Sequence, residues 1–179
     1  LTILLQLNET CWLLGFLVLL LVFSYPAFKR FTYWPQFILG LTFNWGALMG
    51  WVSITGEIDI PSVLLYLTGI FWTLGYDTIY AHQDKEDDAL IGVKSSALAL
   101  ENSTKPFIYT VYIMTMSGIF LIGWISEFSI PFYLVCLIAF CQLIWQISTL
   151  DLDSPNDCLK KFKSNRFFGF LITFAIFLG

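Results

Sequence analysis

Apolar residues run along this chain in long uncharged blocks, at residues 10–28, 31–56, 60–76, 106–126, 128–150 and 167–179, separated by short clusters of charge. A helix needs roughly 20 apolar residues, rising about 1.5 Å each, to cross about 30 Å of hydrocarbon. The pattern therefore predicts six spans: A (about 10–28), B (34–55), C (60–81), D (106–126), E (129–150) and F (166–179). The expected fold is all-α, a polytopic transmembrane helix bundle forming a single membrane domain over residues 1–179. Composition agrees: 58% of residues are apolar and only 12% charged, where a soluble domain carries about 25% charge. A soluble globular enzyme, a nucleic-acid binder and a disordered protein are all excluded. Residues 1–7 (LTILLQL) read as the tail of an earlier helix that turns at Asn8-Glu9, and span F reads as short. The chain is expected to be a fragment, with more missing in front than behind.

The basic residues organise the spans. The A–B loop holds Lys29 and Arg30, the C–D loop Lys85, Lys94 and Lys105, and the E–F loop Lys160, Lys161, Lys163 and Arg166. The B–C and D–E loops hold none, only Glu57 and Asp59 in one and Glu127 in the other. All nine basic residues thus fall on one side, which the positive-inside rule assigns to the cytoplasm or its topological equivalent. The opposite loops are tight turns, with Pro61 and Pro131 placed to open the helices that follow. The C–D connection is far longer than the usual 2–8 residues between helices, and long polar loops are where function tends to sit.

The four cysteines have no metal or redox spacing and read as small buried apolar side chains. His82, the only histidine, reads as an interfacial polar residue rather than a metal ligand. From Gly75 the sequence runs GYDTIYAHQDKEDDALIGVKSSAL. If span C continues as a helix past the membrane edge, Asp77, Tyr80, Asp84, Asp87 and Asp88 share one face. Asp77 then lies about 6 Å inside the boundary, where an ionised carboxylate requires a polar cavity. Clustered carboxylates repel one another, so a cation must offset them. Mg²⁺ suits, since it takes one or two carboxylates and completes its shell with water and substrate phosphates. Lys94 is placed to meet a phosphate as a point charge. The bland alternative is a solvated acidic loop.

Span A ends in SYPAFKRFTYWPQF, from Ser24 to Phe37, on the same side as the acidic stripe. Tyr25 and Lys29 are four apart, and Pro26 limits how the helix continues. One reading is a positive-inside anchor flanked by Tyr33 and Trp34 as belt aromatics. The other is a basic wall facing the acidic one, with a diphosphate and metal between.

Two motifs now carry a family resemblance: YPxxKRxTxxPQxxLGxxFxxGxxMG from Tyr25 to Gly50, and YDxxYAxxDxxDDxxIGxKS from Tyr76 to Ser95. Together they resemble the UbiA superfamily of membrane prenyltransferases, and most of all its branch that prenylates 4-hydroxybenzoate in ubiquinone biosynthesis. The likeness extends over nearly the whole chain, including NRFFGF at the start of span F. It implies a bundle of nine spans, of which A to F are the fourth to ninth, in a bacterial or mitochondrial inner membrane with the site on the cytoplasmic or matrix side. It implies a polyprenyl diphosphate and an aromatic acid as substrates, and Mg²⁺ as cofactor. The acidic stripe matches the second of the family's two Asp-rich motifs, so Asp77, Asp84 and Asp88 carry over as metal–diphosphate residues, with Asp84 and Asp88 on the metal and Asp77 counted as catalytic. Tyr25 and Lys29 match positions that contact the diphosphate, and Tyr80 and Lys94 join them as substrate-binding. Arg30 matches a basic residue needed for activity, serving either the diphosphate or the benzoate carboxylate. The first Asp-rich motif is absent from this sequence, which implies half a metal site and a fragment inactive by itself.

Asn44, deep in span B, must find a partner in either substrate or a neighbouring helix. Gly46 and Gly50 form GxxxG and predict close helix contact; Gln142 and Gln146 share a face and predict interhelical hydrogen bonds. Rival readings are the same superfamily with a naphthoate, haem or chlorophyllide acceptor, a CDP-alcohol phosphatidyltransferase, whose DGxxAR-type signature does not occur, and a cation transporter. The transporter predicts acidic residues at mid-membrane, and the sequence places none there.

Overall fold

The computed structural model describes residues 2–179, apart from the side chain of Lys29. Among the described residues nine α-helices follow in order: α1 (Glu9–Phe31), α2 (Pro35–Phe43), α3 (Trp45–Thr55), α4 (Ile60–Gln83), α5 (Lys85–Ile91), α6 (Ser96–Leu100), α7 (Thr104–Ile125), α8 (Ile130–Ser148) and α9 (Pro155–Leu178). No strand occurs among the described residues. Among the described residues four segments are long and apolar enough to cross a membrane: Glu9–Phe28, Pro35–Thr55, Ser96–Ile125 and Ile130–Ser148. Helices α4 and α9, at 24 residues each, are about 36 Å long and long enough to cross, but carry more polar residues. The protein is an integral membrane protein built as a helical bundle.

Local chemistry sets the ends of these helices. The Asn8 side chain caps α1 by accepting from the Cys11 amide at 2.9 Å. Asp59 and Ser62 cap α4 reciprocally, satisfying two amides that the first turn leaves orphaned. Pro61 and Pro131 stand in the first turns of α4 and α8, as expected. Gly56, at φ +81°, ends α3 in the left-handed region, which glycine enters without a Cβ penalty.

Several expectations are corrected here. Residues 4–6 form a short 3₁₀ turn against α1, with the Leu4 side chain close over Gly15. Pro26 does not limit α1, which runs on to Phe31. Span B is two helices, because the chain breaks step at Asn44. Span F begins eleven residues early, at Pro155, so Lys160, Lys161, Lys163 and Arg166 lie on α9 and not in a loop. Ser154 explains the early start: its side chain accepts from the Asp157 amide and supplies the cap.

Helix α4 is the hub. Helices α2, α3, α7 and α9 pack on it, and α8 closes the far side against α7 and α9. Tyr112, Phe132, Phe168, Ile79, Ile108, Leu143 and Ile147 form the fully buried centre. Close approach of α7 to α4 depends on Gly75, whose missing Cβ leaves the space the Tyr112 ring occupies. Among the described residues the GxxxG pair makes no close helix contact. A Cβ at Gly46 or Gly50 would meet nothing within 4 Å.

A smaller cluster of Cys11, Leu14, Leu48 and Val52 joins α1 to α3. Asn8 Nδ2 donates to the Val52 carbonyl at 2.7 Å, and Trp45 Nε1 to the Leu14 carbonyl at 3.0 Å. Cys11, Cys136 and Cys158 are buried as expected, whereas Cys141 is exposed on α8. Burial, reinforced by the charges of Asp157, Asp151 and Asp153, pushes the Cys158 thiol up to about 11, so it stays protonated and inert.

Candidate active site

One cavity of about 130 Å³ lies where α1, α2 and α4 meet the connection leading to α6. Its lining is Tyr25 from α1, Pro35 and Gln36 from α2, Asp77, Tyr80 and Ala81 from α4, then Asp84, Asp88, Val93, Lys94 and Ser95. Six residues expected from the sequence thus converge: Tyr25, Asp77, Tyr80, Asp84, Asp88 and Lys94. They are drawn from positions as far apart as Tyr25 and Lys94, and Tyr25 meets the α4 residues because α1 and α4 both pack on α2.

The acidic stripe reaches this cavity by a bend, not along one helix. Helix α4 stops at Gln83, and Asp84, at φ −106° and ψ 11°, turns the chain into α5. The Asp88 amide donates to the Asp84 carbonyl at 2.8 Å, so these two stay one turn apart. The bend sends Asp87 the other way. It is exposed and joins Lys85 and Glu86 at a second cavity, with His82 and Asp153. Asp87 is therefore no member of the site, contrary to the single-face reading. Gly92, at φ +76°, then closes α5 and swings Val93, Lys94 and Ser95 back over the cavity.

The basic side is only partly present. Lys94 Nζ donates to the Phe31 carbonyl at 3.3 Å and sits 5.1 Å from the centre of the Tyr33 ring. It ties the end of α1 to the cavity rim. Arg30 is exposed and does not line the cavity, and the Lys29 side chain lies outside the described residues.

Asn44 also stands apart, and the reason is packing. Its Nδ2 donates to the Gly40 carbonyl at 2.9 Å and to Thr73 Oγ1 at 2.8 Å. Gly69 of α4 lacks the Cβ that would collide with its amide. The amide thus locks the broken span to α4, and its expected contact with substrate is not made in this cavity.

His82 is buried rather than interfacial, at 5% exposure, and Nε2 shares a hydrogen bond with Thr104 Oγ1 at 3.1 Å. It lies one residue past the expected end of the span. Burial, aided by the nearby Lys85 charge and opposed by Asp153, pushes its pKa down to about 4. It is neutral at physiological pH.

Sequence reasoning missed Gln36 and Ser95 as cavity residues. Both are nearly fully buried, at 5% and 3% exposure. Gln36 Oε1 and Ser95 Oγ have no hydrogen-bond partner among the described residues. Both stand inside the two motifs, as the Gln of PQ and the Ser of KS, so the signal was present without a role attached.

Could the residues hold a metal? No group of three or more His, Cys, Asp or Glu side chains is arranged as a cage among the described residues. Mg²⁺ does not need one, because it characteristically takes one or two carboxylates and leaves the rest of its shell to water and phosphate. Asp84 and Asp88, one helical turn apart on a shared cavity wall, fit that mode.

Comparison with known proteins adds an independent line. A family model described as the UbiA prenyltransferase family matches residues 1–172. The mitochondrial 4-hydroxybenzoate polyprenyltransferase of Arabidopsis thaliana is 50% identical over 179 residues, covering 99% of this chain and 44% of that protein. The Homo sapiens protein of the same name is 49% identical, covering 99% and 48%. The chain spans about half the length of the curated relatives it matches. An apo structure of a UbiA homolog from Aeropyrum pernix K1 superposes with a TM-score of 0.78 at 19% identity, covering 96% of this chain and 65% of that one. A digeranylgeranylglyceryl phosphate synthase structure gives 0.79 at 20% identity, covering 97% and 62%. At such identities the likeness is one of fold alone.

Proposed function

The chain belongs to the UbiA prenyltransferase family, and from that premise we propose that its carboxylate-lined cavity serves Mg²⁺-dependent transfer of a polyprenyl group from an allylic diphosphate to 4-hydroxybenzoate. The observation that carries the reading is the convergence of Asp77, Asp84, Asp88, Tyr25, Tyr80 and Lys94 on one cavity at the end of α4. The names of relatives at about 50% identity support the aromatic acceptor.

Asp84 and Asp88 would hold Mg²⁺, with Asp77 deeper along α4. The chemistry that ion supplies when bound is neutralisation of the charge developing on a leaving diphosphate. Tyr25 and Tyr80 hydroxyls offer donors to phosphate oxygens, and Lys94 adds a point charge at the rim. The Tyr80 ring is held at 4.8 Å from the Phe162 ring of α9, which fixes where its hydroxyl points. In the reaction the allylic carbon–oxygen bond breaks, and its electrons leave with the diphosphate. The ring carbon ortho to the acceptor hydroxyl bonds to the allylic carbon and then loses its proton. Three carboxylates on one wall keep the approach to a bare anion unfavourable, so donor binding is expected to need the cation.

The one-sided distribution of basic residues supports a cavity on the cytoplasmic or matrix side. The test uses the full-length protein in membranes, supplied with an allylic polyprenyl diphosphate and 4-hydroxybenzoate, with Mg²⁺ or EDTA. Prenylated benzoate is expected only with Mg²⁺. Mg²⁺-dependent binding of the diphosphate without product would move the reading to another acceptor, and loss of both would overturn it.

A further inference from the structure

Among the described residues, five buried side-chain atoms lack a hydrogen-bond partner, and two of them, Gln36 Oε1 and Ser95 Oγ, line the carboxylate cavity. A buried polar atom left unpaired is costly, so a native site that keeps two of them in one small cavity is built to have them paired by something else. The two atoms differ in what they accept. A glutamine carbonyl oxygen is an acceptor only and needs a donor from the ligand; a serine hydroxyl can give or take. An ionised diphosphate offers acceptors alone and leaves Gln36 Oε1 unsatisfied. A phenolic hydroxyl supplies the missing donor.

Position agrees with that division of labour. Asp77, Asp84 and Asp88 occupy the α4–α5 wall, whereas Gln36 sits in the first turn of α2, beside Pro35. Its residue is 5% exposed, and the neighbouring proline has no amide hydrogen to offer it. The Trp34 ring, one residue further back, packs at 5.2 Å on Phe107 of α7, which anchors the start of this helix. Gln36 is thus a neutral acceptor on a fixed backbone, facing a charged wall.

We propose that Gln36 is a specificity-determining residue, its Oε1 accepting the hydroxyl hydrogen of the aromatic acceptor. The inference rests on the prenyl-transfer reading of this cavity and adds which residue reads the acceptor's hydroxyl. A neutral amide cannot take that proton outright. It holds the hydroxyl in one orientation, which fixes the ortho carbon relative to the allylic donor. A site that pairs a hydroxyl in this way discriminates strongly against an analogue without the donor, because its own acceptor is then left unpaired.

The full-length enzyme and two variants, Gln36→Met and Gln36→Glu, provide the test. Methionine keeps the length and removes the acceptor; glutamate keeps an acceptor oxygen. The readouts are KM for 4-hydroxybenzoate, KM for the allylic diphosphate, and Ki for 4-methoxybenzoate, which carries no hydroxyl hydrogen. Each is independent of how much protein folds. In Gln36→Met, KM for 4-hydroxybenzoate is expected to rise about 10-fold, while KM for the diphosphate and Ki for the methoxy compound change less than about 2-fold. Gln36→Glu is expected to recover most of the lost affinity for 4-hydroxybenzoate. Equal changes for both substrates, or an unchanged preference for hydroxyl over methoxyl, would overturn the assignment with the prenyl-transfer reading intact. A wild-type enzyme that neither binds nor prenylates 4-hydroxybenzoate would overturn both.

Discussion

Two sets of polar side chains lie against α4, and they are finished differently. One is a seam between α4, α7, α8 and α9. Tyr112 donates to Gln146 Oε1 at 2.6 Å, Gln146 Nε2 donates to the Lys161 carbonyl at 2.9 Å and to Ser164 Oγ at 2.8 Å, and Trp72 Nε1 donates to Asn165 Oδ1 at 3.0 Å. Lys161, itself buried, bonds Thr149 and lies 4.0 Å over the Trp145 ring. The other set is the cavity at the end of α4, where three carboxylates share a wall and the Gln36 and Ser95 acceptors stand unpaired among the described residues. Inside a membrane every polar group must be satisfied. The seam does this internally for all but Gln142 Oε1 and holds helices together; the cavity leaves the Gln36 and Ser95 oxygens to a ligand. Polarity alone does not mark the cavity; two unpaired oxygens gathered beside three carboxylates do.

Breaking the cavity should separate turnover from stability most sharply. Asp88→Asn in the full-length enzyme is expected to lower turnover at least about 100-fold, the scale set by losing one positioned electrostatic group, while the near-isosteric amide leaves Tm within a few degrees. Turnover assays and thermal unfolding of the same preparation check this. Breaking the seam should do the reverse. Gln146→Leu strips the Tyr112 hydroxyl of its acceptor and is expected to cost about 1–3 kcal/mol of stability, with kcat per folded enzyme unchanged.

His82, at the second cavity beside Lys85 and Asp153, offers a pH test. Its folded pKa of about 4 lies below the ordinary value of 6.5, so the unfolded chain takes up the proton first. Its contribution to stability is full above about pH 6.5 and is lost as pH falls towards 4. Tm should drop across that window, and His82→Gln should flatten the drop. The smallest effect is expected at Gly50. With nothing within 4 Å of its missing Cβ, Gly50→Ala should be neutral or stabilising by up to about 1 kcal/mol, as thermal unfolding would show.

The sequence revealed spans and cavity residues because both follow from strong, local signals: uncharged length for the one, charge at a membrane edge for the other. Asp77, Tyr80, Asp84, Asp88 and Lys94 were legible on that basis, whereas Tyr25 was named through the motif that carries the family resemblance. Helix continuity was not. The turn at Asp84 that expels Asp87, and the break at Asn44, depend on tertiary bonds such as Asn44 to Thr73, which no periodicity records. The glycines show the same limit. Gly46 and Gly50 have the motif and no neighbour, whereas Gly69 and Gly75 have no motif and give Asn44 and Tyr112 their room. Close approach belongs to the partner helix as much as to the glycine.

The central claim is that the cavity binds a diphosphate through its carboxylates and a cation. Ligand bound only to the folded state raises Tm, so the most direct measurement is the Tm of the full-length protein with geranyl diphosphate, in Mg²⁺ and in EDTA, for the wild type and Asp84→Asn. The account predicts a rise with Mg²⁺ that vanishes in EDTA and in the variant. A rise that survives in EDTA, or one that Asp84→Asn leaves intact, would contradict it.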